Sequence, residues 1–239
     1  MTSGRTSWML EDHDVSQEDP ILRRLAALIL TTATLTACGQ SEGSNDPLQI
    51  AETLEAATPA HSPAQNGTVP GEVTPGGEFK QGDTTLKFQV NGRNVELDRL
   101  RSAVFEMTTD DKGAETRGAG LRAGDGATNA VPDRFGRLLV VDTRGGEFIA
   151  FSVNPLIMRQ RYPVPGSPYG IAYDAKRDIA WITLTERNEV VGLNVAGGEP
   201  AEKFRFATVR QPNTVSVDQE TGRVTVTSGD NGGIQVISP

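Results

Sequence analysis

Cysteine and histidine are scarce in this chain of 239 residues, which contains one cysteine, Cys38, and two histidines, His13 and His61. A single cysteine excludes an intramolecular disulfide framework and a metal site built from several cysteines. The shortage of histidine disfavours a Ser-His-Asp triad, a Cys-His pair and a histidine-ligated zinc site. Both histidines also lie in segments that we predict to be removed or unfolded. We therefore predict no catalytic residue, no metal site and no cofactor.

Positive charge and aromatic residues are also in short supply. The 23 Lys and Arg residues are outnumbered by 31 Asp and Glu residues, which gives a net charge of −8. A nucleic-acid-binding face needs a basic patch, so we predict no nucleic-acid partner. Aromatic residues make up only 5% of the chain, whereas it contains 26 glycines and 14 prolines. This composition suits many short strands joined by turns, or a domain with a disordered tail.

An uncharged apolar run over residues 25–37 follows Arg23 and Arg24. As a helix it would extend about 20 Å, which is too short for a hydrocarbon core of roughly 30 Å. A basic segment, a short apolar core and small residues before a cleavage point are typical of an export signal. We predict a signal peptide over residues 1–37, and a translation start at Met9 instead of Met1 would leave these features unchanged.

The end of this run resembles a bacterial lipobox, with Leu35, Thr36, Ala37 and then Cys38. The resemblance implies that a lipoprotein signal peptidase recognises these four residues and cleaves before Cys38, which carries an S-diacylglycerol group and an N-acyl group. Two acyl chains anchor a protein stably where one would be marginal. The expected location is the outer face of the cytoplasmic membrane. The alternative is a buried cysteine on an amphipathic helix.

The residues after the cysteine divide into two regions. Residues 38–82 are rich in Pro, Gly, Ser and Thr and show no sustained apolar period, so we predict a flexible tether. From residue 83 onward, "TLKFQV" and "NVEL" alternate apolar and polar residues around Asn91-Gly92, a favoured two-residue hairpin turn. We predict one strand-rich domain over residues 83–239.

An internal repeat indicates the architecture of this domain. The stretches at 127–167, 168–211 and 212–239 each begin with a short strand, an aspartate and a tight turn, followed by further strands. The three aspartates, Asp133, Asp174 and Asp218, are 41 and 44 residues apart. Four strands per unit of about 40–45 residues is typical of β-propeller blades. Each aspartate can cap the backbone N–H groups of its own turn.

The predicted fold class is therefore all-β, a partial or small β-propeller of three to four blades of four antiparallel strands after a disordered tether. The last repeat ends before a fourth strand. Because an N-terminal strand often completes the last blade of a propeller, we expect residues 86–90 to fill that place. A closed ring, an open arc and a homo-oligomer joined through open blade edges all remain compatible with the sequence.

The repeats resemble the YVTN-type and NHL-like propeller repeats of extracytoplasmic proteins. Runs such as "GRLLVVDTRGGEFIAFSVNPLIMRQRYPV", "AWITLTERNEVVGLNV" and "EKFRFATVRQPNTVSVD" further resemble the C-terminal half of mycobacterial and other actinobacterial LppL-type conserved lipoproteins. This resemblance covers residues 121–237 and implies a lipid-anchored propeller outside the cytoplasmic membrane. It implies no established chemistry.

We expect this domain to be a binding or scaffold module, because no catalytic apparatus is visible. Its expected partners are the membrane, through the lipid anchor, and an unidentified envelope protein or glycan. One alternative is a metal-dependent hydrolase similar to the gluconolactonase propellers, and another is a truncated paralogue of a longer propeller. Among the aromatic residues, Trp181 is predicted to be core, and Tyr162, Tyr169 and Tyr173 to cluster at a blade junction, either as core or as a stacking surface.

Overall fold

A computed structural model of the protein describes residues 54–239 and contains four antiparallel sheets of four strands each. This confirms the predicted fold class of an all-β, propeller-like chain. The sheets are numbered here as blades 1 to 4 in chain order. Blade 1 contains β2 (Thr85–Val90), β3 (Arg93–Asp98), β4 (Ala103–Thr109) and β5 (Glu115–Arg122); blade 2 contains β6 (Ala127–Pro132), β7 (Arg137–Asp142), β8 (Glu147–Val153) and β9 (Leu156–Pro163); blade 3 contains β10 (Pro168–Asp174), β11 (Ile179–Leu184), β12 (Glu189–Asn194) and β13 (Ala201–Ala207); blade 4 contains β14 (Pro212–Val217), β15 (Val224–Ser228), β16 (Ile234–Ile237) and β1 (Glu72–Thr74).

Local turn chemistry sets the register of the hairpins. Asn91 and Gly92 both have positive φ, 47° and 74°, as a two-residue turn that matches strand twist requires. The aspartates of the three repeats cap their turns through one carboxylate oxygen, as the sequence predicts. The amides that donate to them belong to Phe135 and Arg137 for Asp133, to Lys176 and Arg177 for Asp174, and to Glu220 and Thr221 for Asp218.

The first strands of the blades, β2, β6, β10 and β14, lie side by side around a common axis, in that order. Three buried apolar clusters fill the junctions between successive blades. They include Leu97, Leu138 and Phe151 between blades 1 and 2, Leu139, Phe148 and Ile182 between blades 2 and 3, and Trp181, Ile179 and Ile237 between blades 3 and 4. Burial of these faces is the main stabilising term of the fold.

The remaining faces of the two end blades are polar. On blade 1, Glu96 bonds Arg117, whose guanidinium lies 4.6 Å from the centre of the Phe105 ring. On blade 4, strand register places Ser216 beside Thr225 on the corresponding face. Within residues 54–239 no fourth apolar cluster joins blade 4 to blade 1. The end faces are therefore built for contact with water or with polar groups.

The strand that completes blade 4 is β1, not residues 86–90 as predicted. Glu72, Val73 and Thr74 pair with Val236, Gln235 and Ile234 of β16, and β1 is the outermost strand of the blade. Residues 86–90 belong to β2, which pairs with β3. The Asn91-Gly92 turn explains the difference, because it joins β2 to the next strand and commits it to blade 1.

Residues 54–70 form a strap that packs against the blades, so the domain begins earlier than the predicted boundary at residue 83. Ala57 is buried. The Ser62 hydroxyl bonds the carbonyl of Thr185, and the Ser62 amide donates to the Gln211 side chain at 2.9 Å. Gln235 donates to the carbonyl of Pro70 at 2.7 Å. The only helix within residues 54–239 is the 3-10 turn Thr185–Arg187, and no helix there is long and apolar enough to cross a membrane.

Candidate ligand site at the propeller axis

A cavity of about 190 Å³ opens at the end of the axis where the four inner strands begin. Every blade contributes to its wall, as does the segment between β1 and β2. Its lining consists of Phe79, Lys80, Gly82, Leu86, Arg99, Asn129, Tyr169, Gly170, Ile171, Asn213, Thr214 and Val215. A concave site with a few polar groups among apolar ones is the usual form of a small-molecule site.

Arg99 is the charged centre of this wall and is only 3% exposed. It follows β3 directly, and its amide donates to the carbonyl of Thr84 at 2.8 Å. Its Nη1 donates to the carbonyls of Gly82 and Asp83 at 3.4 and 3.0 Å. Its Nη2 donates to the Tyr169 hydroxyl at 3.3 Å. The guanidinium therefore ties blade 1 to blade 3 through the cavity wall.

Tyr169 provides the second polar group of the cavity. Its ring packs edge-on against Phe79 with centroids 6.0 Å apart. Burial raises the pKa of the Tyr169 hydroxyl, and the nearby Arg99 guanidinium lowers it by a smaller amount. The hydroxyl is therefore protonated at neutral pH. It accepts a hydrogen bond from Arg99, and none of the described residues accepts its own proton.

Amide side chains complete the polar lining. Asn129 on β6 donates to the carbonyl of Tyr169 at 2.8 Å, which fixes the start of β10 beside it. Asn213 on β14 accepts from Gln211 at 3.1 Å. A neighbouring cavity of about 360 Å³ shares Phe79 and Asn213 with the axial one and has His61 of the strap in its wall. The strap thus lies beside the mouth of the axial cavity.

The electrostatic character of the axial cavity is positive. Arg99 and Lys80 line it, and no carboxylate side chain does so. In the part of the chain that the structure describes, no group of three or more His, Cys, Asp or Glu side chains is placed to hold a metal ion. The lining contains no nucleophile paired with a base. What these groups can do is bind and orient a ligand through hydrogen bonds and charge.

A second cluster of charged groups lies at the opposite end of the axis. Arg134 of blade 2 contacts both carboxylate oxygens of Asp178 of blade 3 at 2.6 Å, and Tyr173 donates to one of them at 2.7 Å. The Arg134 guanidinium holds the pKa of Asp178 below its usual range. Burial and the Asp178 carboxylate raise the pKa of Tyr173. Because the Arg134–Asp178 pair joins blade 2 to blade 3 and Tyr173 supports it from blade 3, we interpret the cluster as structural.

The structure separates the residues that the sequence singled out. Leu35, Thr36, Ala37 and Cys38 lie outside the described residues. His61 lies in the packed strap, not in an unfolded segment as predicted. Trp181 is core, as predicted. Of the three tyrosines, Tyr162 and Tyr173 pack against the cluster between blades 2 and 3, whereas Tyr169 lines the axial cavity.

Arg99 is the residue that sequence reasoning missed. It lies in "LDRLRS" between the acidic Asp98 and the basic Arg101, and resembles one more charge of a polar turn. Of the two arginines in this turn, Arg101 pairs with Asp98 at 3.0 Å. No local pattern distinguishes the arginine that pairs from the one that points to the axis.

No protein-family model matches the chain, and no functionally curated protein matches it in sequence. Its fold is similar to that of solved propellers. A 6-phosphogluconolactonase-like protein of Bacteroides uniformis shares 15% identity at a TM-score of 0.56, over 68% of this chain and 50% of that one. A similar protein of Bacteroides fragilis shares 13% at 0.55, over 68% and 54%. The Cps50 (Swd1) β-propeller domain of Myceliophteria thermophila shares 11% at 0.53, over 64% and 50%.

The chain spans about half the length of the solved structures that it matches. At these identities the similarity establishes the propeller fold and nothing further.

Proposed function

We propose that the chain is a cell-envelope lipoprotein whose propeller is a ligand-binding module, with the ligand site in the axial cavity. The observation that supports the site is a cavity lined by all four blades with a buried guanidinium in its wall. A protein that held the blades together only for stability would bury apolar groups there, since an interior cation is costly to desolvate. The blades act as a scaffold because they position the groups that line the axial cavity.

The lipid anchor is the second part of the proposal. Its support is the lipobox-like sequence ending at Cys38 and the resemblance to the LppL-type lipoproteins. Lipidation would place the propeller on the outer face of the cytoplasmic membrane, where the ligand is a component of the envelope or a molecule that passes through it. A Cys38→Ala variant should lose incorporation of labelled fatty acid and leave the membrane fraction. Unchanged membrane retention of this variant would refute the anchor.

The ligand site is tested with two matched tryptophan substitutions on β14. Thr214 lines the cavity and Ser216 is exposed on the same strand outside it. Full-length protein in detergent is incubated with an envelope extract and washed, and the retained molecules are identified by mass spectrometry. We expect a molecule retained by the wild type and by Ser216→Trp but lost from Thr214→Trp. If both variants retain the same molecules as the wild type, the axial cavity is not the ligand site.

A lactonase activity has less support in this chain. The fold similarity to the 6-phosphogluconolactonase-like proteins is too distant to transfer an activity. The axial lining has no carboxylate to hold a divalent ion. A truncated paralogue of a longer propeller remains consistent with the chain's half-length coverage of its structural neighbours, and retention of a ligand by the axial cavity would show that such a chain still functions.

A further inference from the structure

Arg99 is a buried cation without a counter-ion; the buried Asp142 also lacks one, but three backbone amides donate to its carboxylate. Asp133 pairs with Arg137 at 2.6 Å, and Asp98 pairs with Arg101 and with Arg117 at 3.0 and 2.8 Å. Arg99 contacts only two carbonyls and one hydroxyl, and no described carboxylate lies within ion-pair distance of it. Buried charges in folded proteins are nearly always paired. The cavity wall therefore carries one uncompensated positive charge.

The hydrogen-bonding capacity of the guanidinium is also incompletely used. A guanidinium has five N–H donors in a planar fork. Three of them bond the carbonyls of Gly82 and Asp83 and the Tyr169 hydroxyl, and the buried Nε has no partner among the described residues. The proton of the Tyr169 hydroxyl has no acceptor there either. The guanidinium is thus incompletely satisfied, and the lining of the cavity contains no negatively charged acceptor.

We propose that the axial cavity binds the carboxylate of a small organic acid, with Arg99 supplying the positive charge and Tyr169 a hydrogen bond. This inference rests on the proposed function, since it names the ligand class of that same site. A carboxylate carries one negative charge and accepts hydrogen bonds at both oxygens, so it matches a single buried guanidinium. The carbonyl partners on Nη1 keep the guanidinium plane fixed before the ligand arrives.

The volume of the cavity and the residues that line it support a small anionic ligand. The cavity volume of about 190 Å³ is below the roughly 300–1,000 Å³ of pockets that take drug-sized ligands. This suits a short organic acid better than a sugar. Lys80 is exposed at the cavity, where it adds long-range attraction for an anion. The apolar lining from Leu86, Ile171 and Val215 is suited to the hydrocarbon part of such an acid.

The test is titration calorimetry on the full-length protein in detergent, at constant ionic strength. The probes are acetate, lactate and malonate, with inorganic phosphate as the other anion. Propane-1,2-diol serves as the uncharged analogue of lactate. The variants are Arg99→Lys, which keeps the charge but loses the fork, and Tyr169→Phe, which loses only the hydroxyl. Tyr162→Phe is the matched control, because Tyr162 packs away from the cavity.

We expect at least one carboxylate to bind the wild type and Tyr162→Phe equally, and propane-1,2-diol not to bind. Arg99→Lys should weaken binding at least about tenfold and Tyr169→Phe about three- to tenfold. Far-UV circular dichroism without ligand checks that each variant is folded. If Arg99→Lys does not fold, Tyr169→Phe decides the question.

Four results would overturn the inference. They are equal binding of propane-1,2-diol, tighter binding of phosphate than of any carboxylate, no binding of the three acids, and carboxylate binding unaffected by Tyr169→Phe. If Thr214→Trp still loses an envelope molecule that the wild type retains, the proposed function survives that result. If no molecule distinguishes Thr214→Trp from Ser216→Trp, the proposed site itself is wrong.

Discussion

Replacing Gln235 with leucine should destabilise the whole domain, because this side chain makes three hydrogen bonds to two separate segments of the backbone. Gln235 on β16 is fully buried. Its Oε1 accepts from the Val209 amide at 2.9 Å, and its Nε2 donates to the carbonyls of Pro70 and Ala207 at 2.7 and 3.1 Å. Leucine has a similar volume but leaves all three groups without this partner. The hydrogen bonds therefore dominate the expected change.

The expected loss follows from these three bonds. At about 0.5–1.5 kcal/mol of net stability each, they amount to about 3 kcal/mol. That is a large fraction of the roughly 5–15 kcal/mol by which domains are stable. With a urea dependence of about 2 kcal/mol per molar, the unfolding midpoint should fall by about 1.5 M. Trp181, which is 2% exposed, reports the transition by fluorescence in a chain that begins after residue 8.

The control for this prediction is Gln89→Leu. Gln89 is exposed on β2, so its substitution should change stability by less than about 0.5 kcal/mol. Hydrogen exchange adds a second measurement, since loss of the bond to Pro70 should increase exchange in the strap. A midpoint for Gln235→Leu within error of the wild type would refute the reasoning, because three buried backbone groups would then have lost their partner without cost.

Three further predictions concern the blades. Arg134 lowers the folded pKa of Asp178, so the stability contributed by this carboxylate is present above pH about 3.9 and is lost as the pH falls below it. Asp178→Asn should therefore make the urea midpoint depend less on pH between about 2 and about 5, and an unchanged pH profile would argue against the pair. Trp181→Ala should cost about 3–5 kcal/mol by thermal or urea unfolding, since the ring is buried in a blade junction, and a loss below about 1 kcal/mol would contradict that packing. Gly92→Ala should cost about 1 kcal/mol because of its positive φ, whereas Gly197→Ala, with open space and no such φ, should be neutral; equal effects would exclude backbone strain as the cause.

The blade architecture could be predicted because its signals are local. Strand alternation, the Asn91-Gly92 turn and the spacing of Asp133, Asp174 and Asp218 each depend on residues close together in the chain. The structure uses each of them within one hairpin. A repeat also presents the same local signal three times, which separates it from chance alternation.

The strap and β1 could not be predicted, because their partners are distant in sequence and their own residues carry little pattern. All three residues of β1 are exposed, and Val73 is 44% exposed, so no apolar alternation marks the strand. The strap is held largely through its backbone. Its carbonyls at Ala60, Pro63 and Pro70 accept bonds from side chains on the blades. A segment held in this way has the composition of a tether although it is packed.

The axial site was beyond sequence reasoning for a related reason. Arg99 and Tyr169 are 70 residues apart and belong to blades 1 and 3, which are not consecutive in the chain. Only the convergence of the inner strands on one axis brings them together. The sequence also gives no sign that Arg99 lacks a counter-ion, because any of its 31 acidic residues could have been that counter-ion.

The packed strap shortens the reach of the propeller if Cys38 is the lipid anchor. Folded contacts begin by Ala57, and the Ser62 bonds hold the strap beside the axial cavity. Residues 39–53 then separate the anchor from the described domain, instead of a tether that ends at residue 82. At no more than about 3.5 Å per residue, that segment spans at most about 50 Å. Because the chain enters at the end of the axis where the cavity opens, the ligand site would lie within that distance of the membrane surface, plus the depth of the strap itself. With an anchor at Cys38, a ligand delivered at the membrane would be within reach, whereas one confined to more distant layers of the envelope would not.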